Sequence, residues 1–143
     1  MKVHIRRIDK SLPLPEYKTS GAAGFDCAAR TRTVFAPRSV GYVPLNIALE
    51  PPEGYFTLLA ARSSLHKRGL MAANGLGIID RDYSGNDDEF TAVLYNFTDQ
   101  EVVVEAGERI MQGVFIPHTR GEWEEVDDLG NTNRGGFGTT GKK

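Results

Sequence analysis

Residues 74–85, NGLGIIDRDYSG, carry the densest run of chemically useful groups in the chain. The apolar pair Ile78-Ile79 reads as a short strand that delivers Asp80 at its end. Aspartates have a reference pKa of about 3.9 and are ionised at neutral pH, so a carboxylate there can orient a water and take its proton. Asp82 lies two residues further on, on the same face of an extended chain, and suits a supporting place in the hairpin or a local charge network. Tyr83 adds an aromatic at the strand's edge. Gly75 and Gly77 leave the main chain bare, which lets backbone come close to a ligand.

Two further segments carry anion-binding groups. Arg62, Ser63 and Ser64, in ARSSL at 61–65, follow a strand and open a short helix, where side-chain donors and the first free N–H groups converge on one spot. Taken alone, such a segment is more often a helix cap with a solvated arginine. Near the C-terminus, residues 134–141 (RGGFGTTG) offer the cation of Arg134, several unobstructed N–H groups, the hydroxyls of Thr139 and Thr140, and the flat ring of Phe137. These are parts for folding over a phosphorylated aromatic ligand. The competing reading is an unstructured tail, and it loses ground once a second phosphate-binding segment is present.

The elements that must position these groups read as many short strands. Val3, Ile5 and Ile8 among charges, then 33–35, 40–49, 55–59, 90–97, 102–104 and 110–116, have β-branched and aromatic composition, and 16 glycines and 7 prolines punctuate them. That spacing predicts an all-β, jelly-roll-like sandwich or barrel rather than a βαβ fold. One short helix is expected at 63–69, with a serine at its start and Gly69 at its end. At 143 residues the chain fits one domain, expected over 1–126, followed by a flexible C-terminal arm at 127–143 that is nearly free of apolar residues. A net charge of −2 argues against a broad basic face that tracks nucleic acid. No apolar run reaches the length of a membrane span, and a single cysteine, Cys27, excludes an internal disulfide and suits a cytoplasmic setting. His4, His66 and His118 are scattered and read as surface residues, and no cluster has the spacing of a zinc site. The acidic run 86–89 (NDDE) reads as a solvated turn.

Taken in order, five segments resemble the trimeric deoxyuridine triphosphatases, or dUTPases: SGAAGFDCA at 20–28, ARSSL at 61–65, residues 74–85, GERIMQ at 107–112, and RGGFGTTG at 134–141. The resemblance spans nearly the whole chain. It implies a homotrimer with shared active sites that hydrolyses dUTP to dUMP and pyrophosphate, limiting uracil in DNA and supplying dUMP for dTMP synthesis. It assigns Asp80 as the base for the attacking water, and Asn74, Gly77, Ile78 and Ile79, with Thr91 beside them, to the uracil edge. Tyr83 would pack under the deoxyribose and exclude a 2′-hydroxyl. Arg62, Ser63, Ser64 and Gln112, with Arg134, Gly138, Thr139 and Thr140 of the arm, would hold the phosphates while Phe137 stacks on the base. The implied cofactor is Mg2+, held by phosphate oxygens and water rather than by protein ligands, with Asp26 near the metal-water or subunit network.

Two departures stand out. Thr132 occupies the place where the family usually has an arginine five residues before the stacking Phe, and the cation stands instead at Arg134. The run at 86–89 lengthens the third-motif hairpin. The nearest competitor is dCTP deaminase of the same fold, which carries a glutamate in the strand after the hairpin; residues 91–96 (TAVLYN) have no acid. A non-enzymatic jelly-roll binding module is the third reading, and turnover of dUTP separates it from the other two.

Overall fold

A computed structural model describes residues 1–137. The β-branched and aromatic runs become eleven strands in this part of the chain: β1 His4–Arg7, β2 Phe25–Ala28, β3 Thr33–Phe35, β4 Val40–Pro44, β5 Ile47–Glu50, β6 Tyr55–Ala61, β7 Leu70–Ala72, β8 Gly77–Ile79, β9 Thr91–Asn96, β10 Val102–Val104 and β11 Arg109–Pro117. All named pairings are antiparallel. They form a four-stranded sheet in the order β2-β11-β6-β8, a three-stranded sheet β4-β9-β7, and the two pairs β1-β5 and β10-β3. This is the expected all-β, jelly-roll-like fold. Period-two alternation turns one row of a strand inward, as in β9, where Ala92, Leu94 and Asn96 are buried between less buried neighbours. Phe35, Val43, Leu45, Leu70, Phe90 and Leu94 meet in the core, each 1% exposed or less.

The run at 40–49, expected as one strand, is two. Asn46 breaks it with a φ of +68°, a left-handed conformation that asparagine tolerates better than most residues, and so sends β4 and β5 to different sheets. The buried Asn46 amide replaces lost ladder bonds by accepting from Asp9 N–H at 2.6 Å and donating to Asp9 C=O at 3.0 Å. β2, inside the first glycine-rich motif, and β7 were not expected as strands.

The helix is a four-residue 3-10 turn, Leu65–Arg68. Ser64 stands at its start but makes no side-chain capping bond, so the expected serine cap is unused. Gly69 ends it as expected, with a φ of +80°. After β11 the His118 N–H donates to Gly54 C=O at 2.9 Å. Residues 119–137 then run on without strand or helix, and Trp123 is 95% exposed. Regular secondary structure among the described residues thus ends at Pro117. No helix among the described residues is long and apolar enough to cross a membrane.

β2 lies across β11 because residue 113 is glycine. A Cβ there would stand 2.3 Å from the ring of Phe25, and that ring is itself held against Tyr17 and Phe115 at centroid separations of 5.9 and 5.2 Å. Gly113→Ala is therefore expected to overpack the site and cost about 1–3 kcal/mol. A urea or thermal melt at fixed protein concentration checks this; an unchanged midpoint would show that the Phe25 ring moves aside freely.

Candidate active site

The second and fourth motifs meet at one end of the four-stranded sheet. Arg62 follows β6, Arg109 opens β11, and the Asp26 carboxylate on β2 lies between them: Arg62 Nε is 3.0 Å from Oδ1 and Arg109 Nη1 is 2.9 Å from Oδ2. Asp26 has only 12% of its side chain exposed, against 30% and 42% for the two arginines. Two cations around one carboxylate leave this end locally positive, and the exposed Ser63 and Ser64 sit beside it. Arg62 Nη1 also donates to Arg109 C=O at 3.1 Å, and Gln112 Nε2 donates to Ala61 C=O at 3.1 Å. Arg62, Ser63, Ser64 and Gln112 are thus brought together, while Arg109 was missed in sequence; its signal was the GERIMQ motif that contains it. Asp26 is a clamp on two guanidiniums in this chain.

Next to Asp26, the Cys27 thiol is buried in β2, and burial, reinforced by the Asp26 charge, pushes its pKa up to about 12. It is neutral at physiological pH and is no nucleophile.

A second group gathers around β8. Asn74, Gly77, Ile78, Ile79 and Thr91, all expected at a base-binding edge, line a single cavity of about 200 Å³ together with Leu59 and Met111. Gly75 makes the preceding turn at a φ of +72°, and a Cβ on Gly77 would come within 3.2 Å of Leu59 Cβ. β8 pairs with β6 on one side and lies at the edge of its sheet, so its outer row of N–H and C=O groups is not taken by another described strand.

The chain then turns, with Tyr83 N–H donating to Asp80 C=O at 3.2 Å. Asp80 is exposed and lines an open cavity of about 640 Å³ with Arg81, Asp82, Phe56, His118 and Arg120. Asp82 shares Asp80's cavity, as its spacing suggested. His118 is an exposed residue stacked edge-on to Phe56 at 5.8 Å, and neither it nor Arg120 was marked by any sequence signal as a neighbour of Asp80. Tyr83 Oη donates to Glu89 C=O at 3.3 Å. The acidic run contains more than a solvated turn: Asp88 accepts from Gly85 N–H at 2.7 Å, and Glu89 pairs with Arg30 through two bonds of 2.7 and 2.8 Å.

The pairing register sets these groups apart. Ile79 lies opposite Thr57, which puts Asp80 level with Phe56, and Arg62 stands six positions further along the same strand line. At about 3.3 Å per residue the separation is about 20 Å. Within one chain the base cavity lies between the two, reaching from Ile79, next to Asp80, to Met111, which lies opposite Ala61 next to Arg62. Arg134 and Phe137 are exposed on the terminal segment; Gly138, Thr139 and Thr140 fall outside the described residues.

The dUTPase family model matches residues 10–141. The chain belongs to the dUTPase family. It is 41% identical over 147 residues, covering all of both chains, to a deoxyuridine 5'-triphosphate nucleotidohydrolase of Hydrogenobaculum sp. (strain Y04AAS1). Among solved structures it resembles a dUTPase from Streptococcus mutans with a TM-score of 0.76 and 35% identity, over 83% of this chain and 98% of that one. It also resembles a Staphylococcus bacteriophage 80alpha dUTPase solved with dUpNHpp, with a TM-score of 0.86 over 99% of both chains at 22% identity. The last likeness speaks for the fold. Within the dUTPase family frame, the residues that gather around β8 and around Asp26 are those of the third motif and of the first, second and fourth.

The burial of Cys27 has a measurable consequence. A disulfide-exchange reagent is expected to find no reactive thiol in the folded protein and one per chain in denaturant. Because the folded pKa lies above that of an unfolded cysteine, about 8.5, the thiol's contribution is intact below that pH and falls as the unfolded form ionises, continuing toward about pH 12. Fast labelling of the native protein would contradict this.

Proposed function

We propose that the protein hydrolyses dUTP to dUMP and pyrophosphate as a homotrimer with shared active sites. One observation carries the reading: the free main-chain edge of β8 lines a small cavity, and the residue that follows the strand is an exposed carboxylate. Uracil presents acceptor, donor and acceptor along its pairing edge, which a strand edge can meet with N–H, C=O and N–H. Cytosine presents a donor where uracil has an acceptor, and such mismatches in a hydrogen-bonding site reject by roughly 10⁴-fold or more. Tyr83 would lie under the deoxyribose, with Thr91 beside the base.

Asp80 would hold a water in line with the α-phosphorus and take its proton as the water oxygen bonds to phosphorus and the bond to the β-phosphate oxygen breaks, releasing pyrophosphate. Arg62, Ser63, Ser64 and Gln112 would neutralise and orient the triphosphate. Their distance from Asp80 along one strand line supports a site completed by a neighbouring chain. Arg134, Gly138, Thr139 and Thr140 of the arm (127–143) would close over the phosphates while Phe137 covers the base, excluding water and fixing the geometry.

No group of three acidic, His or Cys side chains among the described residues could hold a metal, and Asp26 is already spanned by two arginines. That donor set fits Mg2+ arriving with the nucleotide, coordinated by phosphate oxygens and water, where it supplies charge neutralisation. The product dUMP suits a place upstream of dTMP synthesis, and the single buried thiol suits the cytoplasm.

Pyrophosphate release from dUTP, dCTP, dTTP and UTP side by side with Mg2+ tests the function, with dUTP expected to dominate. In that assay Asp80→Asn should retain nucleotide binding and lose about 10²–10⁴-fold in kcat. Near-full activity would move the base elsewhere, with Asp82 next. Truncation after Asn133 should lower kcat strongly, shift stability by less than about 1 kcal/mol and leave the light-scattering mass at that of three truncated chains. A truncated protein with full turnover, or one that no longer assembles, contradicts the assignment of the arm.

A further inference from the structure

The lengthened hairpin ends in a clamp that the proposed chemistry does not by itself require. Glu89 Oε1 accepts from Arg30 Nε at 2.7 Å and from the Asn46 N–H at 2.8 Å, and Oε2 accepts from Arg30 Nη2 at 2.8 Å. The carboxylate is 15% exposed and Arg30 29%, so the pair is shielded from solvent screening. Asn46 is 3% exposed and is itself held by two bonds to Asp9. The ladder resumes at once after Glu89, since Phe90 N–H donates to Ile47 C=O at 2.7 Å and Leu45 N–H donates to Phe90 C=O at 2.8 Å. Residue 89 is therefore fixed from its side chain and from the main chain that follows it.

The backbone of Glu89 reaches the two residues placed beside the sugar and the base under the proposed function. Its backbone carbonyl accepts from Tyr83 Oη and from Thr91 Oγ1, each at 3.3 Å. Tyr83 is 44% exposed, so this carbonyl is a restraint on where its ring stands. We propose that Glu89, clamped by Arg30 and Asn46, is a positioning residue for sugar selection: by fixing its carbonyl it sets the place of the Tyr83 ring and of Thr91. This rests on the proposed reading of Tyr83 as the group beneath the deoxyribose. The hydrogen bonds to Glu89 are the first cause that holds Arg30's pKa above its ordinary value, in keeping with the short contacts of the clamp.

The geometry also dictates how the clamp fails. In Glu89→Gln one carboxylate oxygen becomes an NH₂ group, and each oxygen faces an N–H donor, so either orientation of the amide sets donor against donor. Arg30→Lys keeps the charge but loses the planar fork that meets both oxygens. Both variants should release the carbonyl without touching Asp80 or the triphosphate-binding cations.

The experiment measures kcat/KM for dUTP and UTP in wild type, Glu89→Gln, Arg30→Lys, Tyr83→Phe and the Glu89→Gln/Tyr83→Phe double variant, with melting and light scattering as checks on folding. The UTP-to-dUTP ratio should rise about tenfold in Glu89→Gln, less in Arg30→Lys, and Glu89→Gln should add little once Tyr83→Phe has removed the hydroxyl that binds the carbonyl. A merely structural role would lower both kcat/KM values together and leave the ratio fixed, which overturns the inference, as would full additivity in the double variant. If Glu89→Gln does not fold, the ratio in Arg30→Lys decides. A wild type that turns over dUTP and UTP alike overturns the functional reading, and the inference with it; a selective wild type with an unmoved ratio in both clamp variants overturns the inference alone.

Discussion

The antiparallel pairing of β6 with β8 on one side and β11 on the other is the constraint on which the rest of the molecule depends. It makes β6 a ruler. Leu59 opposite Gly77 and Thr57 opposite Ile79 fix the hairpin that carries Asp80, and Met111 opposite Ala61 fixes the end where Arg62 and Arg109 grip Asp26. A one-residue slip of either pairing would turn the strand's side chains to the other face, so the register holds the two groups at opposite ends of one chain. If, as proposed, the cation cluster and the Asp80 carboxylate act on one triphosphate, that separation calls for a neighbour. Assembly, under the proposed function, follows from strand rise rather than from any feature of the interface.

Partly buried charge finishes what the sheet begins. Asp26 ties β2 to the start of β11 and the end of β6, and Glu89 ties the hairpin to Arg30 and the β4–β5 break. Ion pairs of this kind are weak evidence for stability, because desolvation offsets much of the attraction. Their effect is geometric: each carboxylate accepts from donors on separate elements, and only one arrangement of those elements satisfies them all.

Much of this was legible in sequence where a local pattern carries it. β-branched and aromatic runs between turn residues gave away most strands, and Gly69 marked the end of the short helix because few other residues accept its positive φ. The five motifs marked the groups around β8 and the arginine-serine end. What escaped depends on distant partners. Asn46 looked like one polar residue inside an apolar run, and its role as a strand break became visible only with Asp9 and Glu89 around it. Glu89 read as one more acid in a turn, since nothing local distinguishes a carboxylate that meets Arg30, 59 residues away, from one that meets water. β7 is three residues long and adjoins the helix, too short for periodicity to declare itself. His118 and Arg120 reach the Asp80 cavity because β11 runs alongside β6, a fact of topology alone.

The unpaired edge of β8 bears on how this chain can change over generations. Under the proposed function, recognition vested in amide and carbonyl groups is indifferent to which side chains hang from Ile78 and Ile79 as long as the strand keeps its place, whereas Gly77 has little room for a Cβ beside Leu59. Drift at the exposed Ile78 can therefore proceed without altering what base is accepted. On that reading no single codon change offers a short path to a new base, since the donor and acceptor order would be written in peptide units that every residue except proline shares. A new preference would need an insertion, a slipped register or a different strand, which are rarer events than substitution. Selectivity of this kind is hard to lose by degrees and hard to redirect.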